Sequence, residues 1–428
     1  MKIVGGKVLI GKEFQEVDIE FDEKIREIGG GACGGASSLG GEAGAGEAGG
    51  EAGDEATCDA EVFDASGLII TPGFVDIHTH GGVGVDFSDG DYEGLKRVAA
   101  YYGEHGVTSF LGTTMTISKD KIIKAVTEIG RFIEDQKADP DFASGKCAGI
   151  HLEGPFISEG KKGAQNACDI IAPSISAFNE FNQASGGNIR IITMAPETEG
   201  ALEFIREVTG GAQDDSASEV TGGAQDDSAA EVAGGAQGCV VSIGHTVANF
   251  AQADAGFKAG ATHATHLYNG MTGFAHRDPA VIGAAYDNGA SVELICDGNH
   301  VAPTVIRMTF EAFGERVNLI SDSLRCAYMP DGDYELGGQA ITLKNGLATL
   351  KDSTTIAGSV ISLHDAVKFV AGCGIPLEMA LYCASTAPAK AARLDDIGSI
   401  AIGKSADFVA LNKNLDIVAI WVNGRRIR

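Results

Sequence analysis

Gly149-Ile150-His151-Leu152-Glu153-Gly154-Pro155-Phe156 decides how this chain is to be read. An apolar, β-branched run from Ala148 to Leu152 ends in a carboxylate, and Gly-Pro then stops the strand. An acidic residue at the carboxyl end of a buried strand is where an α/β barrel keeps its chemistry. Comparable endings recur along the chain. They are His78 and His80 in Asp76-Ile77-His78-Thr79-His80, His245 in Ser242-Ile243-Gly244-His245, His266 in Thr265-His266-Leu267-Tyr268-Asn269, and Asp322 in Leu319-Ile320-Ser321-Asp322. Each closes a short apolar run, and together they read as one metal-dependent hydrolytic site.

Outward from that stretch the pattern is strand, loop, helix, repeated. Strands are expected near 69–76, 107–111, 148–152, 189–194, 238–243, 262–265, 291–296 and 317–321. Helical patterning falls over 92–105, 119–134, 247–259 and 304–313 and begins at 201, with further helices over 360–373 and 377–383. This alternation argues for an α/β fold, a (β/α)8 TIM-type barrel with a parallel sheet. Period-two patterning over 1–28 returns at 398–411 and 417–422, so a small β-sandwich domain built from both termini is expected beside the barrel. The expected divisions are 1–67 and 396–428 for that domain and 68–395 for the barrel. Two segments interrupt the pattern. Residues 29–57 are low-complexity Gly, Ala and Glu, and 207–237 carry a twelve-residue repeat with Glu207, Asp214, Asp215, Glu219, Asp226, Asp227 and Glu231 but no Lys or Arg. Neither has the apolar side chains to offset ordering entropy, so both read as disordered insertions.

Composition excludes several function classes. A net charge of -27 disfavours nucleic acid and anionic membranes as partners. Hydrophobic residues make up 44% of the 428, ample for a buried core. The nine cysteines form no CxxC pair, and Cys239 and Cys296 sit in apolar runs, which fits a reducing cytoplasm. The first residues lack the apolar core of a signal peptide, and no run approaches the roughly 18 apolar residues of a membrane helix.

His78 and His80 are two apart in an extended segment, so their imidazoles share a side. Two imidazoles plus a carboxylate suit a divalent metal, Zn or Fe. His-x-His alone reads as readily as two unrelated loop histidines; the strand-end positions of Glu153, His245 and His266 favour a shared cation. His263, at an odd spacing from His266, faces the other way and reads as structural. Asp322 suits a general base beside a metal-bound water, or equally a helix N-cap. Lys161, Lys162, His276, Arg277 and His300 lie in loops after strands. They suit an anionic substrate such as a sugar phosphate, or stand solvated on the surface.

The motifs Pro72-Gly-Phe-Val-Asp-Ile-His-Thr-His-Gly-Gly82, His151-Leu-Glu-Gly-Pro-Phe156 with Lys161-Lys-Gly-Ala164, Gly244-His-Thr246, Ala264-Thr-His-Leu-Tyr-Asn269, Ile320-Ser-Asp-Ser-Leu324 and Ala357-Gly-Ser359 resemble the N-acetylglucosamine-6-phosphate deacetylases of the amidohydrolase superfamily. The tail from Gly398 to Asp407 resembles the superfamily's closing β segment. The resemblance spans nearly everything outside the two insertions. It implies that Glu153, His245 and His266 hold the main metal and that His78 and His80 complete a second site sharing Glu153, giving one or two ions per subunit. It implies Asp322 as base and then acid, and substrate contacts at Ala164, Asn269, Gly270, Arg277, His300 and the Ile356-Ala357-Gly358 turn. In some members the counterpart of Arg277 reaches the phosphate in a neighbouring subunit, so a homodimer is implied.

Gln165 stands where some members have a substrate-contacting His and others Gln. Gly270 replaces a commoner Ala, a change expected to matter little if the contact is through backbone. Ser385-Thr386-Ala387-Pro388 stands where Asn-Pro is usual. The galactosamine epimer of the substrate stays open. A cyclic-amide hydrolase would bridge its metals with a carboxylated Lys after strand four, where this chain has Ala195-Pro196-Glu197. A non-catalytic scaffold would have lost ligands, and every expected ligand is present.

Overall fold

The structure, a computed structural model, describes residues 1–30, 61–139, 141–210 and 238–428. Eight strands form the central sheet: β1 (Phe74–Thr79), β2 (Val107–Thr114), β3 (Lys146–Glu153), β4 (Ile189–Met194), β5 (Val240–Ile243), β6 (His263–Ala264), β7 (Ser291–Ile295) and β8 (Val317–Ile320). They lie side by side in chain order, all parallel. The sheet curls until its first and last strands meet, where the Asp322 N–H donates to the His78 carbonyl at 2.9 Å. This is the expected (β/α)8 barrel.

Its helices follow the expected amphipathic logic. In Lys119–Ala138 the buried residues Ile122, Ala125, Val126, Ile129, Phe132 and Ile133 recur at helical spacing and face the sheet. Phe250–Lys258 starts with a reciprocal cap between Asn249 and Gln252, and Leu363–Gly372 with one between Ser362 and Asp365.

Inside the barrel the floor and the mouth differ. Val75, Ile77, Leu111, Ile191, Val240, Ile295 and Ile320 pack with Ala389 and Ala392 into an apolar plug. Above it Thr113, His151, Thr193, Ser242 and Glu293 are buried and polar.

Both termini build one nine-stranded sheet, which bends along Glu13–Phe21: one end of that strand pairs with Lys7–Ile10, the other with Lys2–Val4 and Ile25–Gly30. Its halves enclose Ile3, Ile19, Phe21, Phe408 and Trp421. Among the described residues no helix is long and apolar enough to cross a membrane.

Three details differ from the sequence reading. The strand expected over 69–76 is two strands. Ile69–Pro72 pairs with Lys7–Ile10 and Phe408–Leu411 in the terminal sheet, and β1 begins at Phe74. The chain changes partners at Gly73, whose N–H donates to the Asp407 carbonyl, while the next N–H, of Phe74, donates to Gly106. A three-stranded antiparallel sheet, Gly332–Leu336, Gln339–Lys344 and Leu347–Leu350, was not anticipated. Asn345-Gly346 at its second turn, both at positive φ, is the residue pair such hairpins favour. The low-complexity stretches start later than expected: Gly29 and Gly30 still pair in a strand, and Ala201–Thr209 remains helical. The remainder of 29–57 and of 207–237 lies outside the described residues, apart from those ends.

The terminal sheet is tied to β3 by an ion pair. Lys146 Nζ lies 2.6 Å from Asp407 Oδ2 and 2.9 Å from both Ser405 Oγ and Asn423 Oδ1. Asp407 is buried, so removing its cation leaves an uncompensated charge. Lys146→Met should lower unfolding free energy by about 3 kcal/mol, read by urea denaturation; a loss near zero would show that the pair does not join the two parts.

Candidate active site

The predicted residues meet at the carboxyl ends of the strands. Glu153 is the last residue of β3, and His78 lies within β1. His245, His266 and Asp322 each follow a strand end by two residues and take left-handed backbone, with φ of 47°, 28° and 48°. Side chains other than glycine are rare there, and each such residue costs about 1–3 kcal/mol. The sharp turn swings each functional group over the mouth. Backbone contacts hold the turns: Ser158 N–H donates to the His245 carbonyl, Glu293 Oε2 accepts the His266 N–H, and Ser359 N–H donates to the Asp322 carbonyl. Glu153 is fixed through the glycine after it. Gly154 has φ +83°, and a Cβ there would sit 2.1 Å from Thr116 Oγ1, which donates to the Glu153 carbonyl.

Two groups of ligand atoms share Glu153. Its Oε1 is 3.1 Å from His245 Nε2 and 3.0 Å from His266 Nε2, and those two nitrogens are 3.1 Å apart. Beside them His78 Nε2 and His80 Nε2 are 3.3 Å apart, and Asp322 Oδ1 lies 3.6 Å and 3.4 Å from them. Glu153 reaches this second group as well, with Oε1 3.4 Å from His78 and Oε2 3.3 Å from His80. Hydrogen bonds outside the cluster fix two of the imidazoles. His245 Nδ1 donates to the Lys161 carbonyl at 2.9 Å and His78 Nδ1 to Glu293 Oε2 at 2.8 Å. Neither acceptor carries a proton, so in the neutral rings the Nε2 lone pairs face the Glu153 carboxylate. Such a set, acceptor against acceptor in a buried space, requires protons or a cation between its members.

With protons alone, burial pushes the His80 imidazolium down, but Asp322 and Glu153 outweigh it and lift the group to about 9. Burial likewise pushes the Asp322 carboxyl up, and His78, His80 and His266 outweigh that and hold it below its ordinary range. A divalent cation satisfies the same groups without trapping protons, and imidazoles with carboxylates are the donor set of Zn and related metals. Among the described residues Glu153-His245-His266 and His78-His80-Asp322 are both groups that could hold an ion.

Beneath the ligands His151 stays neutral. Burial and the neighbouring His78 push it down to about 3. Its Nδ1 donates to the Ile77 carbonyl, so Nε2 must accept from Thr193 Oγ1 at 2.7 Å; Thr193 in turn accepts from Thr265, and Thr265 from Ser242. This one-way chain pairs the hydroxyls of Ser242, Thr265 and Thr193.

A cavity of about 230 Å³ opens over the cluster. His80, Glu153, His245, His266 and Asp322 line it, together with the expected contacts Ala164, Gln165, Asn269, Gly270, His300, Ile356, Ala357 and Gly358. His78 is wholly buried below it, and Arg277 is exposed on a loop outside its lining. Gln165 is committed to the protein: its carbonyl accepts the Thr116 N–H and its amide donates to Glu153 Oε2. Gly270, at φ +58°, would place a Cβ 3.1 Å from His245 Nδ1, so an alanine there would meet both strained backbone and a ligand imidazole. His263 points to Ser291 and Glu293, away from the cavity, as its spacing implied. Glu293 and His151 went unread, although a carboxylate inside Ser291-Val-Glu-Leu-Ile-Cys296 is a signal in itself.

Known proteins resemble this chain over most of its length. Residues 69–427 match the model described as the Amidohydrolase family. An N-acetylglucosamine-6-phosphate deacetylase of Bacillus subtilis is 33% identical, over 85% of this chain and 86% of its own. An N-acetylgalactosamine-6-phosphate deacetylase of Escherichia coli O157:H7 is also 33% identical, over 85% and 89%. A solved Mycobacterium smegmatis N-acetyl-D-glucosamine-6-phosphate deacetylase mutant, in complex with N-acetyl-D-glucosamine-6-phosphate, superposes with a TM-score of 0.82 at 28% identity, covering 100% of this chain and 98% of that one.

Removing metal should expose the mutual repulsion of the donors. Protein dialysed against a strong chelator is expected to melt several degrees lower and to recover on adding Zn or Co. Identical melting before and after stripping would argue against a cation in this cluster.

Proposed function

The chain belongs to the amidohydrolase family, among the N-acetylglucosamine-6-phosphate deacetylases, and we propose that it hydrolyses N-acetyl-D-glucosamine 6-phosphate to D-glucosamine 6-phosphate and acetate. This is a step of amino-sugar catabolism and cell-wall recycling. The observation that carries the reading is the convergence of Glu153, His245 and His266 on one point with the Asp322 carboxylate alongside, at the base of a cavity of sugar size.

Glu153, His245 and His266 would hold the main divalent ion, Zn or Fe, and His78 and His80 with Glu153 would hold a second where two are bound. Bound metal supplies Lewis acidity, acidifying a water and polarising the acetamide carbonyl. Asp322 is the proton carrier. Held ionised by the neighbouring imidazoles, it takes a proton from the attacking water as the new C–O bond forms. It then gives that proton to the sugar nitrogen as the C–N bond breaks and returns to its starting state; acetic acid and the free amine leave, and the acid's own proton passes to the amine or to solvent, giving acetate. His300 donates Nδ1–H to Asp297 Oδ2 at 2.8 Å; burial lowers it, but Asp297 outweighs this and raises it. As imidazolium it keeps a second N–H on Nε2 to donate to the developing oxyanion.

Ala164, Gln165, Asn269, Gly270 and the Ile356–Gly358 turn form the wall against which the sugar is placed. Arg277, outside this wall on an exposed loop with Phe274, supports a homodimer in which it serves the phosphate of the neighbouring subunit. The cysteines of the described residues are unpaired, which supports a cytoplasmic enzyme.

The galactosamine reading has one observation in its favour, the equal identity of the two bacterial relatives. Acetate release from both N-acetylhexosamine 6-phosphates decides between them, with the gluco compound expected to give the higher kcat/KM. Asp322→Asn should keep KM within a few-fold and lower kcat by about 10²–10⁴-fold. Near-normal turnover by that variant would overturn the assignment of the proton carrier.

A further inference from the structure

Glu293 is wholly buried in β7, does not line the cavity over the cluster, and has no part in the proton transfers above. It nevertheless touches both halves of the ligand cluster from outside. Its Oε2 accepts from His78 Nδ1 at 2.8 Å, and the same oxygen accepts the backbone N–H of His266 at 3.0 Å. Its Oε1 lies 3.2 Å from His263 Nε2, and His263 Nδ1 is 2.6 Å from Ser291 Oγ, so the carboxylate is itself braced from behind. His78 belongs to one group that could hold an ion and His266 to the other.

We propose that Glu293 is a positioning residue that sets the geometry of both ligand groups at once and so couples them. Donor and acceptor roles dictate this. A carboxylate only accepts, so the bond to Glu293 puts the His78 proton on Nδ1 and leaves the Nε2 lone pair facing inward. The same oxygen holds the residue at φ 28° that turns His266 over the mouth. Among the described residues His80 Nδ1 and His266 Nδ1 are buried without a hydrogen-bond partner, so neither ring shows such a lock of its own. An acceptor behind a ligating imidazole fixes its tautomer, and its loss typically costs about 10–100-fold in metal affinity. Glu293 also clusters with His78 and His151, but both His151 nitrogens are engaged by Ile77 and Thr193. That cluster therefore supports the site rather than holding a further ion.

The inference rests on the metal-dependent reading above, and the test separates the two. Metal-stripped wild-type protein is titrated with Co(II), following the visible absorption of the bound ion, and ion content is measured after gel filtration. A wild-type protein that binds no Co(II) sinks the metal reading itself. If it binds, Glu293→Gln is compared. The glutamine can present only one oxygen, so an N–H would face His78 or His263. Affinity is expected to fall about 10–100-fold, with an altered Co(II) spectrum and far-UV circular dichroism unchanged. His263→Phe removes only the brace, should fold where the first variant does not, and is expected to weaken binding several-fold. Wild-type Co(II) affinity and spectrum in Glu293→Gln overturn the proposal; if that variant fails to fold, the same result in His263→Phe does so.

Discussion

Glu153 imposes the constraint on which the site depends. It is a buried carboxylate with imidazole nitrogens within 3.4 Å on four sides, from His78, His80, His245 and His266. Neutral rings satisfy it only in part, because His78 and His245 have already committed their protons to Glu293 and Lys161 and so turn Nε2 lone pairs towards it. A charge of this kind in a low-dielectric interior is stable only when opposite charge is brought to it. Electrostatics thus makes the cluster one that could hold a cation.

That receptacle needs a rigid rim, and the barrel supplies it by dividing its interior. The apolar plug around Val75, Ile191 and Ile320 fastens the strands at one end. At the other, the chain from Ser242 through Thr265 and Thr193 to His151 pairs every hydroxyl in one direction and ends on a backbone carbonyl. A polar mouth left half-paired would be less stable than an apolar one. With these hydroxyls paired, the strained turns at His245, His266 and Asp322 become tolerable within the stability of the whole. The left-handed turn at these three positions swings each functional group over the mouth from two residues beyond its strand.

Much of this was legible in the sequence, for a specific reason. Strand ends marked by a polar residue after an apolar run repeat around the barrel, so Glu153, His245, His266 and Asp322 could be placed without knowing which strands pair. Pairing is where sequence reading failed. Ile69–Pro72 and Phe74–Thr79 follow one another with only Gly73 between them, and the exchange of hydrogen-bond partners at Gly73 assigns the first to the terminal sheet. Glu293 was passed over because it sits mid-strand. Its meaning depends on His78, more than two hundred residues away, and no local pattern carries that. The Asn345-Gly346 hairpin, in contrast, was written plainly in its turn residues.

Gln165 shows how a departure can be read once the geometry is known. Its orientation is not free: the Thr116 N–H requires the carbonyl on its own side, which turns the amide N–H towards Glu153 Oε2. A reversed amide would set donor against donor and acceptor against carboxylate. The residue therefore offers a neutral donor to one oxygen of the Glu153 carboxylate. A neutral donor stabilises without cancelling charge, so the full negative charge of Glu153 stays available to a cation. Thr116 also holds Glu153 from the other direction, through its hydroxyl on the Glu153 carbonyl. One residue on the loop after β2 thus aligns both Glu153 and Gln165, while Gln165 also lines the cavity over the cluster.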